Sequence, residues 1–128
     1  MRAAIYLRLS KEDKQESIEN QRALLRKYAN DHGFSVVKEY TDEAISGLTD
    51  TRPGFAKMME DARQGHFDVI LAKNQSRFSR NFLHIEQYLH RELPHLNIRF
   101  IGVTDGVDTG KINNIAVRRS GKKTRQIY

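Results

Sequence analysis

The chain has 128 residues, the size of one ordinary domain, of which 38% are hydrophobic and 30% charged. No apolar run approaches the roughly 20 residues that span a bilayer, and the first residues lack the apolar stretch of a signal peptide. We therefore expect a cytoplasmic protein that makes no membrane contact. The sequence contains no cysteine, which excludes disulfides, thiolate metal sites and cysteine nucleophiles.

The net charge of +6 is concentrated at the C-terminus. Residues 111–128 hold six of the 22 basic residues and no acid, so the basic residues that remain balance the 16 acidic ones. Such a segment is either a solvated tail or a surface attracted to a polyanion such as DNA, and composition leaves the two open. The neutral body lacks the basic surface expected of a self-sufficient DNA-binding domain.

Hydrophobic periodicity predicts strands and helices in strict alternation. The predicted strands cover residues 2–9, 34–40, 67–72 and 98–103, and the predicted helices cover about 18–32, 52–64 and 81–92. This order is typical of an α/β protein with three layers, in which a mainly parallel sheet of four to five strands carries helices on both faces.

Helix boundaries follow from residues that favour helix ends. Ser17 is the predicted N-cap of the first helix, Thr51 or Asp50 caps the second, and Pro94 closes the third. Beyond Asp108 the periodicity fails. We therefore divide the chain into a folded domain, residues 1–108, and a basic, flexible or truncated segment, residues 109–128.

The end of the first strand carries polar side chains. Side chains alternate faces along a strand, so Tyr6, Arg8 and Ser10 project to one side. Ligands of open α/β sheets bind beyond the carboxyl ends of the strands, so a hydroxyl beside a guanidinium suggests an anion site with a candidate nucleophile. The alternative is an ordinary strand end that begins a turn, and these residues alone favour it.

A second set of cations follows the third strand. Arg77 and Arg80 are three residues apart, which places both on one face of a helical turn, with Phe78 available to anchor it. Each guanidinium can bind two phosphate oxygens, and Arg52 could add a further cation. Because burying several arginines without acids is costly, we expect this cluster to be solvated or to bind an anion.

Other chemistries have weaker signals. The sequence contains neither a glycine-rich phosphate loop nor a paired-glycine dinucleotide fingerprint. Its five histidines are scattered and have no obvious carboxylate partner, which argues against a Ser-His-Asp system. Asp105 and Asp108 could bind magnesium, although aspartates in a loop that contains glycine are more often turn formers. We expect no metal and no cofactor.

Four motifs together resemble the catalytic domain of the serine site-specific recombinases, the resolvase/invertase superfamily. They are Tyr6-x-Arg8-x-Ser10, Gln21 in the first helix, Ser46-Gly47 followed by Arg52-Pro53-Gly54-Phe55, and Ser76-Arg77-Phe78-Ser79-Arg80-Asn81. Each motif is weak alone, but their order and spacing make the resemblance specific. It covers residues 1 to about 108 and is strongest to large serine integrases and transposon recombinases.

The resemblance implies an enzyme of site-specific DNA recombination and DNA integration. Ser10 would attack a DNA phosphodiester, form a 5′-phosphoserine link and release a 3′-hydroxyl. Arg8, Arg77 and Arg80 would hold the scissile phosphate, while Arg52 and Gln21 match supporting positions. The partner would be DNA, and the full-length active protein would be a homodimer or tetramer.

Two departures from the family pattern stand out. Ser76 occupies a position where many members have an aspartate, immediately before the first arginine of the pair. The family also continues into a long helix with a further catalytic glutamate, and no acid follows Asp108 here. The chain is therefore expected to be an excised catalytic domain or a truncated gene product.

Two other interpretations stay open at this stage. One is an inactive remnant or regulatory interaction module of the same fold. The other is a small α/β phosphatase or nucleotide-binding protein that uses the arginine cluster for a small phosphate ligand. Turnover of a generic phosphoester without DNA would favour the second of these.

Overall fold

The structure is a computed structural model, and it describes residues 1–9, 17–43, 52–78, 83 and 85–110. Strands β1 to β5 are Arg2–Leu9, Ser35–Glu43, Val69–Ala72, Arg99–Gly102 and Val107–Asp108. Helices α1 to α5 are Ile18–Asp31, Pro53–Arg63, Gln75–Phe78, Ile85–Glu92 and Leu93–His95. Among these residues no helix combines the length and apolar character that a bilayer crossing requires.

The strands form one sheet in the order β2-β1-β3-β4-β5. The pairings among the first four strands of this order are parallel, and β5 is antiparallel to β4. The expected mainly parallel sheet of four to five strands is therefore confirmed. The short β5 was not predicted, because two residues carry no detectable alternation.

The two faces of the sheet carry separate apolar clusters, as alternation along β1 predicts. Tyr6 belongs to the cluster beneath α2 and α4, which includes Met58 and Leu89. Ile5 and Leu7 belong to the cluster beneath α1. Helices therefore lie on both faces of the sheet, and burial of β1 on both sides explains its nearly continuous apolar sequence.

Helix α1 begins and ends close to the predicted positions. The Ser17 hydroxyl accepts a hydrogen bond from the backbone N–H of Asn20 at 3.0 Å, which confirms Ser17 as the N-cap. The chain leaves the helix through Gly33, whose φ of 77° lies in the left-handed region that favours glycine.

Helix α2 is capped by a side chain of strand β2, and the predicted caps Thr51 and Asp50 lie outside the described residues. The N-cap position is Arg52, whose side chain makes no capping bond. The Asp42 carboxylate instead accepts hydrogen bonds from the backbone N–H groups of Gly54 and Phe55, both at 2.8 Å. Asp42 is available because β2 runs on to Glu43, three residues beyond the predicted end, paired along β1.

The third helical region differs most from its prediction. The helical turn predicted around Arg77 is the four-residue helix α3, and α4 winds as a π-helix. Helix α4 ends at Glu92, as predicted, and the separate short helix α5 follows directly with Pro94 in its first turn. Proline fits there because the first turn of a helix needs no donor from it. Residues 79–82 and 84 lie outside the described part of the chain.

Candidate active site

The polar residues at the carboxyl ends of β1 and β3 meet at one edge of the sheet. Only Lys73 and Asn74 separate β3 from α3. The side-chain carbonyl of Asn74 accepts hydrogen bonds from the Arg77 backbone N–H at 3.1 Å and the Ser76 hydroxyl at 2.7 Å. Asn74 therefore caps the turn of α3, and this turn contacts the end of β1.

Hydrogen bonds from the side chains of Arg8 and Arg77 to backbone carbonyls join the end of β1 to α3. Arg8 Nη1 donates to the carbonyl oxygen of Ser76 at 3.2 Å, and Arg77 Nη1 donates to the carbonyl oxygen of Arg8 at 3.3 Å. Arg77 is 9% exposed, whereas Arg8 is half-buried. The two guanidinium groups are therefore placed by the same pair of segments, the end of β1 and α3.

Gln21 holds β1 from the side of α1. Its side chain is fully buried, and its Oε1 accepts from the Arg8 backbone N–H at 3.2 Å. Its Nε2 donates to the Arg8 carbonyl oxygen at 2.8 Å. The backbone of Arg8 is thus fixed on both its donor and its acceptor, and this fixes where the Arg8 side chain starts.

Arg52 reaches the same place from the start of α2. Its Nη1 donates to the carbonyl oxygen of Phe78 at 2.5 Å and lies 3.4 Å from the Tyr6 hydroxyl. Its guanidinium carbon lies 4.0 Å from the centre of the Phe55 ring, a cation–π contact. The side chain is half-buried.

Asp42 is a site residue that the sequence did not reveal. Besides capping α2, its Oδ2 accepts the Tyr6 hydroxyl at 2.7 Å, and the side chain is almost fully buried. Burial raises the pKa of the Tyr6 phenol above its ordinary value, so the phenol stays protonated and donates to Asp42. The missing signal was the length of β2: pairing with all of β1 places Asp42 opposite Arg8.

Three arginines of the predicted site meet at helix α3. Arg8 binds its Ser76 carbonyl, Arg52 binds its Phe78 carbonyl, and Arg77 belongs to the helix. The structure thus brings together Arg8, Arg52 and Arg77, with Gln21 behind Arg8. The predicted nucleophile Ser10 and the predicted Arg80 lie outside the described residues, as does Ser46-Gly47.

Comparison with known proteins places this arrangement in a family. The sequence profile of the resolvase N-terminal domain matches residues 3–119. The chain belongs to the resolvase family of serine recombinases. The expected family is thereby confirmed, and with it an enzyme of site-specific DNA recombination that acts on DNA.

Solved recombinase structures share the fold. The N-terminal catalytic domain of TP901-1 integrase is 32% identical with a TM-score of 0.73, over 86% of this chain and 82% of that one. A resolvase family site-specific recombinase from Streptococcus pneumoniae is 28% identical with a TM-score of 0.76, over 87% and 77%. The C-terminal catalytic domain of ISC1926 TnpA, an IS607-like serine recombinase, is 28% identical with a TM-score of 0.68, over 95% and 84%.

The aspartates considered for magnesium have protein partners in this recombinase. Asp108 forms a two-pronged ion pair with Arg99, at 2.7 and 2.8 Å. Asp105 accepts a hydrogen bond from the backbone N–H of Gln75 at 2.8 Å. Across the described ranges, no group of three or more histidine, aspartate or glutamate side chains is arranged to hold a metal ion. Both carboxylates are therefore engaged by groups of the protein.

One histidine does have a carboxylate neighbour, contrary to the expectation from sequence. His66 Nδ1 lies 3.6 Å from Asp61 Oδ1, and Asp61 also accepts the Tyr40 hydroxyl at 2.6 Å. This group lies at the end of α2 opposite to Arg52, so it does not join the arginine cluster.

Proposed function

We propose that Ser10 is the nucleophile of this recombinase domain and that Arg8 and Arg77, which meet at α3, bind the scissile phosphate together with Arg80. The observation that carries the proposal is the convergence of Arg8, Arg52 and Arg77 on one helical turn, with Arg8 two residues before Ser10 in the chain. In the first step the Ser10 oxygen forms a bond to phosphorus, and the bond from phosphorus to the 3′-oxygen breaks. The serine proton is lost and the 3′-oxygen leaves as a hydroxyl.

The reaction needs positive charge around the phosphate. An extra negative charge develops on the non-bridging oxygens as the fifth bond forms, and preorganised cations stabilise it without moving. The guanidinium groups of Arg8, Arg52 and Arg77 donate to backbone carbonyl oxygens. A carbonyl satisfies an N–H group without cancelling the charge of the guanidinium, so these contacts orient the cations without neutralising them.

The residues have separate tasks in this proposal. Arg8, Arg77 and Arg80 contact the phosphate. Arg52 and Gln21 support them, Arg52 by tying α2 to α3 and Gln21 by fixing the backbone of Arg8. The phosphoserine link conserves the energy of the broken phosphodiester bond. A 3′-hydroxyl can therefore attack this link in the reverse direction and rejoin the exchanged strands without a nucleotide cofactor.

Ser76 replaces the aspartate that many family members carry before the first arginine of the pair. Its hydroxyl donates to the Asn74 side chain at 2.7 Å, and its carbonyl accepts from Arg8. A serine hydroxyl is not ionised near neutral pH, so position 76 lacks the carboxylate base that an aspartate would supply. The hydrogen bond from Arg8 to the carbonyl oxygen of residue 76 does not depend on which side chain occupies that position.

The proposed setting follows from the family. The enzyme works on DNA in the cytoplasm, as a homodimer or tetramer in the full-length protein, because strand exchange requires several cleaved strands to be held at once. These assignments rest on the resemblance and on the family match over residues 3–119.

A suicide substrate tests the proposal. A library of duplexes, each nicked near its centre, releases a short strand upon cleavage and traps the protein covalently on DNA. We expect an adduct with the intact chain and none with Ser10→Ala, whereas Ser35→Ala, a change at an exposed serine of β2, leaves adduct formation unchanged. Hydrolysis of a generic phosphoester without any DNA adduct would contradict the proposal and favour a small-phosphate enzyme.

A further inference from the structure

The turn between β4 and β5 contacts the segment that carries α3. The backbone N–H and the hydroxyl of Thr104 both donate to the carbonyl oxygen of Lys73, at 2.8 and 2.9 Å. Next to this contact, Asp105 Oδ2 accepts from the backbone N–H of Gln75 at 2.8 Å, across 30 positions of sequence. The segment just before α3 and the first residue of α3 are thus held from the turn that joins β4 to β5.

Asp105 is itself held in place on its own side. Its Oδ1 accepts from the Val107 backbone N–H at 3.3 Å, and the turn passes through Gly106 with a φ of 72°. Gly102 leaves the room that this carboxylate occupies, because a Cβ at residue 102 would fall against Asp105 Oδ1 and within 3.4 Å of the Asn74 Cα. The carboxylate therefore fills a defined space between β4 and the start of α3.

Helix α3 depends on such contacts for its position. A helical segment of four residues does not form by itself, because nucleation costs more than a single turn returns. Its backbone N–H groups are bound by Asp105, at Gln75, and by the side chain of Asn74, at Arg77. Any displacement of α3 moves the Ser76 and Phe78 carbonyls and Arg77 together. It therefore changes the surroundings of the three arginines that meet at α3.

We propose that Asp105 is a positioning residue of the recombination reaction. Its carboxylate holds the first amide of α3 and thereby sets where Arg8, Arg52 and Arg77 present their guanidinium groups. Asp105 does not touch the DNA. This role rests on the proposed function, since the placement of the arginines affects a rate only if they bind the reacting phosphate.

The test compares four variants of the intact chain. Asp105→Ala removes the acceptor, Asp105→Asn keeps one oxygen acceptor, and Gly102→Ala displaces the carboxylate. The matched control is Asp68→Ala, because Asp68 also accepts a backbone N–H, that of Arg2, but at the other end of the sheet. The readouts are the Nε–H resonances of the arginines by NMR, the rate of covalent adduct formation at saturating suicide DNA, and DNA affinity.

We expect Asp105→Ala to shift the arginine resonances and to slow adduct formation about tenfold, the scale of losing a helix cap, with DNA affinity changed less than about twofold. Gly102→Ala behaves in the same way. Asp105→Asn stays near the wild-type rate. Asp68→Ala shifts only the Nε–H resonance of its own partner Arg2 and leaves those of Arg8, Arg52 and Arg77, the adduct rate and the DNA affinity unchanged.

Three results would overturn the role of Asp105. The first is an Asp105→Ala variant with unchanged arginine resonances. The second is an equal loss in the rate of adduct formation for Asp105→Asn and Asp105→Ala. The third is a general loss of folding or of DNA affinity, which would show that Asp105 stabilises the whole fold. If the wild-type chain forms no adduct, the proposed function fails, while the arginine resonances still decide whether Asp105 places these side chains.

Discussion

Gln21 binds Arg8 as a neighbouring strand would, with one hydrogen bond to its backbone N–H and one to its carbonyl oxygen. Strand β3 pairs with β1 only from Ala3 to Tyr6, so the Gln21 side chain supplies hydrogen bonds to β1 two residues farther on. Strand β1 stays paired with β2 as far as Leu9, so Gln21 adds hydrogen bonds to a backbone that one neighbouring strand already pairs.

Replacing Gln21 should therefore cost both stability and activity. Gln21→Leu leaves partly buried backbone groups of Arg8 without this partner, and we expect a loss of about 1–3 kcal/mol in the free energy of unfolding. Urea denaturation measures this loss. The control is Gln64→Leu, at an exposed position just after α2, which we expect to change stability by less than about 0.5 kcal/mol. Equal stability of the two variants would show that the Gln21 contacts contribute nothing.

The Asp42 carboxylate should matter more than any one of its partners. Asp42→Asn replaces an acceptor by an N–H group, so one of the donors from Tyr6, Gly54 or Phe55 loses its partner. We expect a loss of about 2 kcal/mol for Asp42→Asn and about 1 kcal/mol for Tyr6→Phe. Because the two residues share one hydrogen bond, the double variant should lose less than the sum, which thermal unfolding can measure. Strict additivity would mean that the bond is not formed in solution.

The Asp61 group predicts a specific pH dependence of stability. The Tyr40 hydroxyl, helped by the nearby Lys57 ammonium, lowers the pKa of Asp61 below its ordinary value of 3.8. The ionised form therefore stabilises the folded state at pH values above 3.8, and this contribution is lost as the pH falls through the lowered pKa.

Asp61→Asn separates this contribution from those of other acids. The difference in unfolding free energy between wild type and Asp61→Asn should be constant above about pH 5 and should shrink below the ordinary carboxyl pKa. Tyr40→Phe removes the largest cause of the lowered pKa, so the same comparison in that background should vary less with pH. A difference that stays constant from about pH 2 to about pH 6, on both sides of the ordinary value, would contradict this account of Asp61.

Local patterns predicted the parts of the fold that depend on neighbours in sequence. Strand β1 and the Ser17 cap of α1 follow from alternation and from a hydroxyl in the right place. The cap of α2 could not be predicted in the same way, because its acceptor, Asp42, lies on a strand whose length is set by pairing with β1.

The site shows the same division. The sequence predicted that Arg8 and Arg77 lie at strand ends, since both follow apolar runs. It could not show that both guanidinium groups bind backbone carbonyls, or that α3 is the element they share, because these contacts join residues about 70 positions apart and depend on how β1 and β3 pair. Asp105 was assigned to a turn, and its contact with Gln75 emerged only from the fold.

The basic segment predicts how DNA binding responds to salt. Six cations without an acid lie in residues 111–128, so we expect weak binding with a steep loss of affinity as salt rises. Changing Lys122, Lys123 and Arg125 to Gln should lower the slope of log affinity against log salt by up to about 0.9 for each phosphate that is no longer neutralised. The control changes Lys27, Lys38 and Lys57 of the body to Gln. Equal effects of the two triple variants, or sequence-selective binding that ignores salt, would contradict this assignment.

The most direct measurement locates the covalent bond between protein and DNA. Trapped complexes on nicked duplexes are digested with protease and nuclease, and the peptide that carries the nucleotide is sequenced by mass spectrometry. We predict that the modified residue is Ser10, linked to a 5′-phosphate, and that the released strand ends in a 3′-hydroxyl. A nucleotide on any other side chain, or a 3′-phosphate link, would contradict a site in which the arginines at α3 present DNA phosphate to Ser10.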